Sequence, residues 1–154
     1  MGHDPLVSVV IPSFNSERYI RQTIASVRNQ SLTDWELIVV DDCSTDDSPA
    51  LIEDYARRDS RVHLLRLGHN TGRPAVPRNA GVQVARGRYV AFLDADDLWH
   101  PQKLGLQVGL MRDRGIRFTS TDTHRFRNEP EIAGPLANAF KPHPIVTSID
   151  HRRL

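Results

Sequence analysis

Apolar positions along this chain follow two alternating patterns, and the alternation predicts the fold. Leu6-Val7-Ser8-Val9-Val10-Ile11 is short, β-branched and nearly continuous, ended by Pro12. Such a run suits a strand buried on both faces, as in a parallel sheet. Residues 35–40, 62–67 and 89–93 repeat the pattern. Between these runs the apolar period lengthens to that of a helix. Tyr19, Ile20, Thr23, Ile24 and Val27 mark a helix over about residues 17–30, with Ser16 as its candidate cap. Leu51, Ile52, Tyr55 and Ala56 mark a second, whose first turn admits Pro49. A third spans about 78–85 and stops at Gly87, and a fourth spans about 101–114, closed by Gly115. Weaker strand signals lie at 117–121 and 145–149. Residues 68–77, rich in Gly, Asn and Pro, read as loop, and 128–143 as a mobile loop.

Strands alternating with helices predict one α/β domain over residues 1–154, built on a mainly parallel sheet. Right-handed crossovers gather the strand-to-helix loops at one edge, outside the carboxyl ends of the strands, where such sheets bind ligands. The loops concerned are 12–16, 41–48, 68–78 and 94–99. Two of them carry clustered carboxylates. Asp94-Ala95-Asp96-Asp97 packs three into four residues. Carboxylates that close repel one another unless solvated, protonated or sharing a cation. Mg²⁺ or Mn²⁺ would resolve the conflict, being hard ions that prefer oxygen ligands and bridge diphosphates. A solvated, helix-capping turn accounts for the same residues. Asp41-Asp42 closes the second strand, where a carboxylate can accept from a ribose hydroxyl or a base N–H, or simply brace its own turn. Asp46 or Ser48 suits a cap for the helix behind. Arg73 and Arg78 can bring forked donors to the same edge, suited to a diphosphate, unless they only face solvent.

Composition narrows the alternatives without choosing among them. With 20 basic against 19 acidic residues and a net charge of +1, nothing global favours a nucleic-acid partner. A single cysteine, Cys43, rules out an intrachain disulfide and a cysteine-rich zinc site, and fits a reducing compartment. It reads as a small packing residue, and Trp35 and Trp99 as packing residues too. The seven histidines lack paired ligand spacing. No apolar run approaches the roughly 20 residues that span a bilayer. Neither phosphate-loop nor dinucleotide glycine signatures occur, which argues against ATPases and classical dinucleotide enzymes.

Four blocks, in order and at the expected spacing over about residues 6–125, resemble family 2 glycosyltransferases of the GT-A, Rossmann-like fold. They run from Val7 to Asn15, from Val39 to Asp46, from Asn70-Thr71-Gly72 to Arg78-Asn79, and from Phe92 to Asp97. The resemblance implies inverting transfer of a sugar from a nucleotide diphosphate, most often UDP- or dTDP-linked, to an acceptor hydroxyl of a glycan or lipid-linked acceptor. It implies that Pro12, Ser13, Phe14 and Asn15 lie along the base and ribose, and that Asp42 contacts the base while Asp41 supports the turn. Asp94, Ala95 and Asp96 would meet the donor, with Asp94, Asp96 and Asp97 as ligands of Mg²⁺ or Mn²⁺. Arg73 or Arg78 would face the diphosphate. Such enzymes act in polysaccharide or cell-wall synthesis, so a cytoplasmic setting at the inner face of the membrane is expected, and a homodimer is compatible. Cys43 stands where glycine is common. The family's acceptor-side part, which carries the catalytic base, is expected beyond Leu154. The chain therefore reads as the donor half, able to bind donor, with turnover by it alone not assured.

Two other readings use the same residues. A nucleotide-sugar-binding module without transferase activity would lack a downstream carboxylate-bearing half. An aspartate-based phosphotransfer domain would place Thr or Val and Gly after its Asp, or a lysine at a late strand end, and Asp94-Ala95-Asp96-Asp97-Leu98 fits neither.

Overall fold

The structure, a computed structural model, describes residues 3–121 and Thr123. It divides into two compact units, Met1–Pro101 and a second beginning at Gln102. The first holds strands β1 (Val7–Ser13), β2 (Trp35–Asp41), β3 (Val62–Arg66) and β4 (Tyr89–Phe92). Helices α1 (Ile20–Arg28), α2 (Ser48–Arg58) and α3 (Ala75–Val84) connect them. All pairings are parallel, in the order β3-β2-β1-β4. β1 and β2 are the central strands, and β2 is buried along its whole length, as a continuous apolar run requires when both faces are covered.

The strand order also assigns the faces. From β1 to β2 to β3 the chain steps in one direction, so right-handed crossovers put α1 and α2 on the same face. The step from β3 to β4 passes back over β2 and β1, which puts α3 on the other. Val10, Ile38 and Val40 form the core on that side, with Leu65, Leu67, Ala80 and Ala85 packed against them. Val9, Ile11, Leu37 and Val39 alternate to the opposite face, where Ile20, Ile24, Val27 and Ile52 are also fully buried. Gly81 permits the tight approach of α3, since a Cβ there would lie 2.4 Å from Val10 Cγ1.

Several boundaries differ from those expected. β1 does not end at Pro12 but runs through it to Ser13. The Val10 carbonyl accepts from Leu93 on the β4 side, and alternation turns Pro12 to that same side two residues later. The β4 pairing has stopped by then, at Val10↔Phe92, so the missing proline N–H costs no ladder bond. α3 begins at Ala75 rather than near Arg78, taking residues 75–77 from the expected loop. Pro77 sits in its first turn, where backbone N–H groups have no intrahelical partner and a proline is tolerated. α1 is shorter than its apolar stripe, with Tyr19 as the cap position.

In the second unit, α4 (Lys103–Arg114) ends at Gly115 in the left-handed conformation, as the glycine predicts. The strand expected at 117–121 is not formed beyond a single bridge residue at Ser120. Its one large apolar residue, Phe118, is exposed, so pairing would bury little. The strand expected at 145–149 and the loop at 128–143 lie outside the described residues. Among the described residues, no helix is long and apolar enough to cross a membrane.

Candidate functional site

The chain order reverses between β1 and β4, and the carboxyl ends of these neighbouring strands form the crevice where such sheets take ligands. Four loops meet around that edge, each held by specific hydrogen bonds. Ser13 ends β1 in register with Asp41 at the end of β2, and the Asp42 N–H donates to the Ser13 carbonyl at 2.8 Å. The two loops beyond are latched together. The Asn15 N–H donates to Ser44 Oγ at 2.9 Å, and Asn15 Oδ1 accepts from the Thr45 N–H at 2.9 Å. Further along, the Ser16 N–H donates to Ser48 Oγ at 2.8 Å and the Glu17 N–H to Asp46 Oδ2 at 3.0 Å. Asp46 Oδ1 also accepts from the Ser48 N–H, so it serves the start of α2 from just outside the helix.

Both latched loops contain a non-glycine residue in the left-handed region, Asn15 at φ 47° and Cys43 at φ 63°. Asparagine tolerates that conformation, and a cysteine there is strained relative to glycine. Cys43 is exposed, which corrects the expectation of a packing residue. Its position is set by backbone geometry and not by a core contact. Trp35, by contrast, is buried as expected, with the Arg61 guanidinium over its ring at 3.8 Å.

The two adjacent aspartates have separate jobs. Asp42 accepts from the Thr71 N–H at 3.0 and 3.1 Å and from the Thr71 hydroxyl at 2.9 Å. It thereby holds the 68–74 loop against the strand end. Asp41 is fully buried; its Oδ2 accepts from the Ser44 N–H at 3.2 Å, and its Oδ1 has no partner among the described residues. An unpartnered carboxylate oxygen in the interior is costly.

The acidic turn after β4 is supported from α1. Thr23 Oγ1 donates to the Ala95 carbonyl at 2.7 Å, and the Trp99 N–H donates to Ser26 Oγ at 3.2 Å. The Asp97 N–H closes the turn on the Asp94 carbonyl at 3.1 Å. Asp96 and Asp97 point into exposed surroundings. Partial burial, then the nearby Asp96 and Asp94 charges, push the Asp97 carboxyl above its ordinary range. Arg78, in the first turns of α3, donates from Nη2 to Asp94 Oδ1. Arg73 remains exposed, and its carbonyl rather than its guanidinium enters the loop hydrogen bonds. The fold therefore brings Arg78 and Asp94 together and leaves Arg73 outside that contact. Phe14 stands half exposed beside the latched loops.

Thr71 and Thr23 are the positions residue reading undervalued. Thr71 sat inside a recognisable Asn-Thr-Gly block, but its bond to Asp42 spans 29 residues. Thr23 belonged to the apolar stripe of α1, where a hydroxyl was the only available signal.

A divalent cation is testable against this donor set. Asp94, Asp96 and Asp97 supply hard oxygens only, which suits Mg²⁺ or Mn²⁺, and the mutual repulsion felt by Asp97 is the kind a cation relieves. The residues fit the ion chemically. They are not drawn into a closed cage: among the described residues, no group of three His, Cys, Asp or Glu side chains is so arranged.

Comparison with known proteins gives the family. The model of glycosyl transferase family 2 matches residues 8–146. A relative in Bacillus subtilis (strain 168), named "Putative teichuronic acid biosynthesis glycosyltransferase TuaG", is 47% identical over 117 residues, 76% of this chain and 46% of that protein. The UDP-Glc:alpha-D-GlcNAc-diphosphoundecaprenol beta-1,3-glucosyltransferase WfgD of Escherichia coli is 40% identical over 115 residues, 75% of this chain and 44% of that protein. The chain thus spans less than half the length of these relatives. Among solved structures, S. aureus TarS 1-349 in complex with UDP-GlcNAc superposes with a TM-score of 0.67 at 33% identity, over 71% of this chain and 32% of that one. The mannosyltransferase PcManGT from Pyrobaculum calidifontis, in complex with GDP-Man and Mn²⁺, gives 0.70 at 25% identity, over 80% of this chain and 36% of that one. Its GT-A, Rossmann-like sheet and the family match agree, and this chain belongs to glycosyl transferase family 2.

Proposed function

We propose that this chain forms the donor side of an inverting, metal-dependent glycosyltransferase that moves a sugar from a nucleoside diphosphate to an acceptor hydroxyl. The observation that carries the reading is the juxtaposition, at one sheet edge, of Arg78 with Asp94 and of Asp42 with the 68–74 loop. In this reading the base and ribose lie along Pro12, Ser13, Phe14 and Asn15, with Asp42 and the buried Asp41 beneath them. Ala95, whose carbonyl is fixed by Thr23, lines the passage to the sugar. Arg78 offers a planar fork to the diphosphate, a geometry that lysine cannot supply. Arg73, on the exposed loop, is the second candidate for that contact.

Asp94 and Asp96 would hold the divalent ion, with Asp97 assisting. Bound there, the ion offsets negative charge that builds on the departing diphosphate. No base is assigned among the described residues. The acceptor hydroxyl is deprotonated by a carboxylate outside them. UDP is the favoured nucleotide, because the TarS structures hold UDP and UDP-GlcNAc and WfgD is named for a UDP-linked donor. The names of TuaG, for teichuronic acid biosynthesis, and WfgD, for a diphosphoundecaprenol-linked sugar, support a polymeric or lipid-linked glycan acceptor, and the inner face of the membrane is the setting that suits it.

Calorimetric titration with UDP, dTDP and GDP, each with and without Mn²⁺, tests the assignment. UDP is expected to bind more tightly with metal, and Asp96→Ala is expected to remove the metal effect. Equal binding by the two chains in the presence of Mn²⁺ would refute this site.

A further inference from the structure

Asp94 already has a cation. Arg78 donates to Asp94 Oδ1, so the protein itself neutralises one of the carboxylates offered to a metal. The arginine is well aimed, because it leaves a helix that Gly81 seats directly against β1. Its fork is not used up: Nε is buried and without an acceptor among the described residues, although a guanidinium carries five N–H donors. Nor is the pair sealed away. The two side chains are 33% and 48% exposed, and a solvent-facing ion pair opens at small cost.

We infer that Arg78 is an exchangeable counter-ion of Asp94, holding that carboxylate while nucleotide is absent and passing to the diphosphate when donor arrives. This rests on the donor site proposed above. Asp94 keeps a second oxygen for a divalent ion, but an ion there and the guanidinium on Oδ1 repel each other across the carboxylate. Without nucleotide, the metal binds against that repulsion or moves Arg78 into water. With nucleotide, the displaced fork finds two phosphate charges and an acceptor for its unused Nε–H. Metal and nucleotide therefore bind together, each raising the affinity for the other by the same factor.

Mn²⁺ uptake by the whole chain, followed by electron paramagnetic resonance of the free ion, separates the possibilities. The comparison needs wild type and Arg78→Gln, each with and without UDP. With the Mn²⁺ held by UDP alone subtracted from protein-free controls, wild type is expected to take Mn²⁺ weakly by itself and at least about tenfold more tightly with UDP. Arg78→Gln is expected to bind Mn²⁺ about tenfold more tightly than wild type without UDP, and to gain much less from UDP. Equal nucleotide-free affinities, with UDP still tightening both chains, would overturn the counter-ion role and leave the donor site standing. No uptake by either chain, even with UDP, would overturn both. A measurement on wild type covers the case in which Arg78→Gln does not fold. The Arg78 Nε–H resonance should shift on adding UDP without metal, as the idle donor finds a phosphate acceptor. An Arg78 Nε–H signal that UDP leaves in place sinks the inference.

Discussion

Two arginine–carboxylate pairs stand at opposite ends of the same sheet, and they are built for different purposes. At the amino end Glu36 accepts from Ser8 Oγ at 2.6 Å, from the Arg86 N–H at 2.8 Å and from the Arg86 guanidinium at 2.7 and 3.0 Å. Ser8 Oγ in turn accepts from the Gly87 N–H at 2.8 Å, which ties the turn before β4 to β1. The Glu36 side chain is 4% exposed and both its oxygens are occupied. At the carboxyl end Asp94 is 48% exposed and meets a single guanidinium nitrogen, and the donor Nε of that arginine is idle. The same two chemical groups make a lock in one place and a replaceable contact in the other. What differs is burial and the number of hydrogen bonds left for a ligand to claim.

The contrast can be broken most severely from the locked end. Glu36→Ala removes the acceptor for a buried hydroxyl and a backbone N–H and should cost about 2–4 kcal/mol in chemical denaturation. Nucleotide affinity of the folded fraction should be unchanged. Gly81→Ala comes next, at about 1–3 kcal/mol, because Val10 cannot easily give way to a Cβ at 2.4 Å and the overpacking outweighs the helix-propensity gain. Loss of more than trace stability on Arg78→Gln would erase the distinction between the two ends. A part-exposed pair with one hydrogen bond is worth less than about 1 kcal/mol, so that variant should unfold at nearly the wild-type midpoint.

Acid sharpens the comparison. Burial alone would raise the Glu36 carboxyl, but bonds from the Ser8 hydroxyl, the Arg86 N–H and the Arg86 guanidinium outweigh it and hold it below the ordinary range. Asp59, bonded first by the Arg61 guanidinium, is lowered to about 2. A carboxylate lowered in the folded state binds its proton more readily when unfolded. The stability it contributes is therefore complete above the unfolded value near 4 and is lost as pH falls through the folded one. Stability should decline from about pH 4 toward 2, and Glu36→Gln should flatten part of that decline. A pH-independent melting midpoint over this window would count against the lock. Cys43→Gly works in the opposite direction and is expected to stabilise by up to about 0.5 kcal/mol in chemical denaturation, the relief of a left-handed residue being offset in part by the freer unfolded chain.

Much of this is legible in the sequence. Buried parallel strands announce themselves as continuous apolar runs because neither face can be polar, and β1, β2 and β4 were placed within a residue or two. The acidic turn was visible because nothing in a solvated loop forces three carboxylates into four residues straight after a strand. The start of α3 was hidden because Pro74 and Pro77 look like loop until one knows that the first turn of a helix needs no N–H. The strand at 117–121 failed for a related reason: a pattern can propose a strand, but only a neighbour with something to bury makes one.

Local pattern settled the order of strands and helices and the side chains each loop carries, since both follow from periods of two or 3.6 residues along a single segment. Which arginine reaches Asp94, why Asp42 belongs to Thr71, and why Glu36 is locked while Asp94 is open were decided only when distant segments met. Those contacts join residues 16 to 50 positions apart. No local period encodes such a distance, because it is the crossovers and the packing of α3 on the sheet that set it.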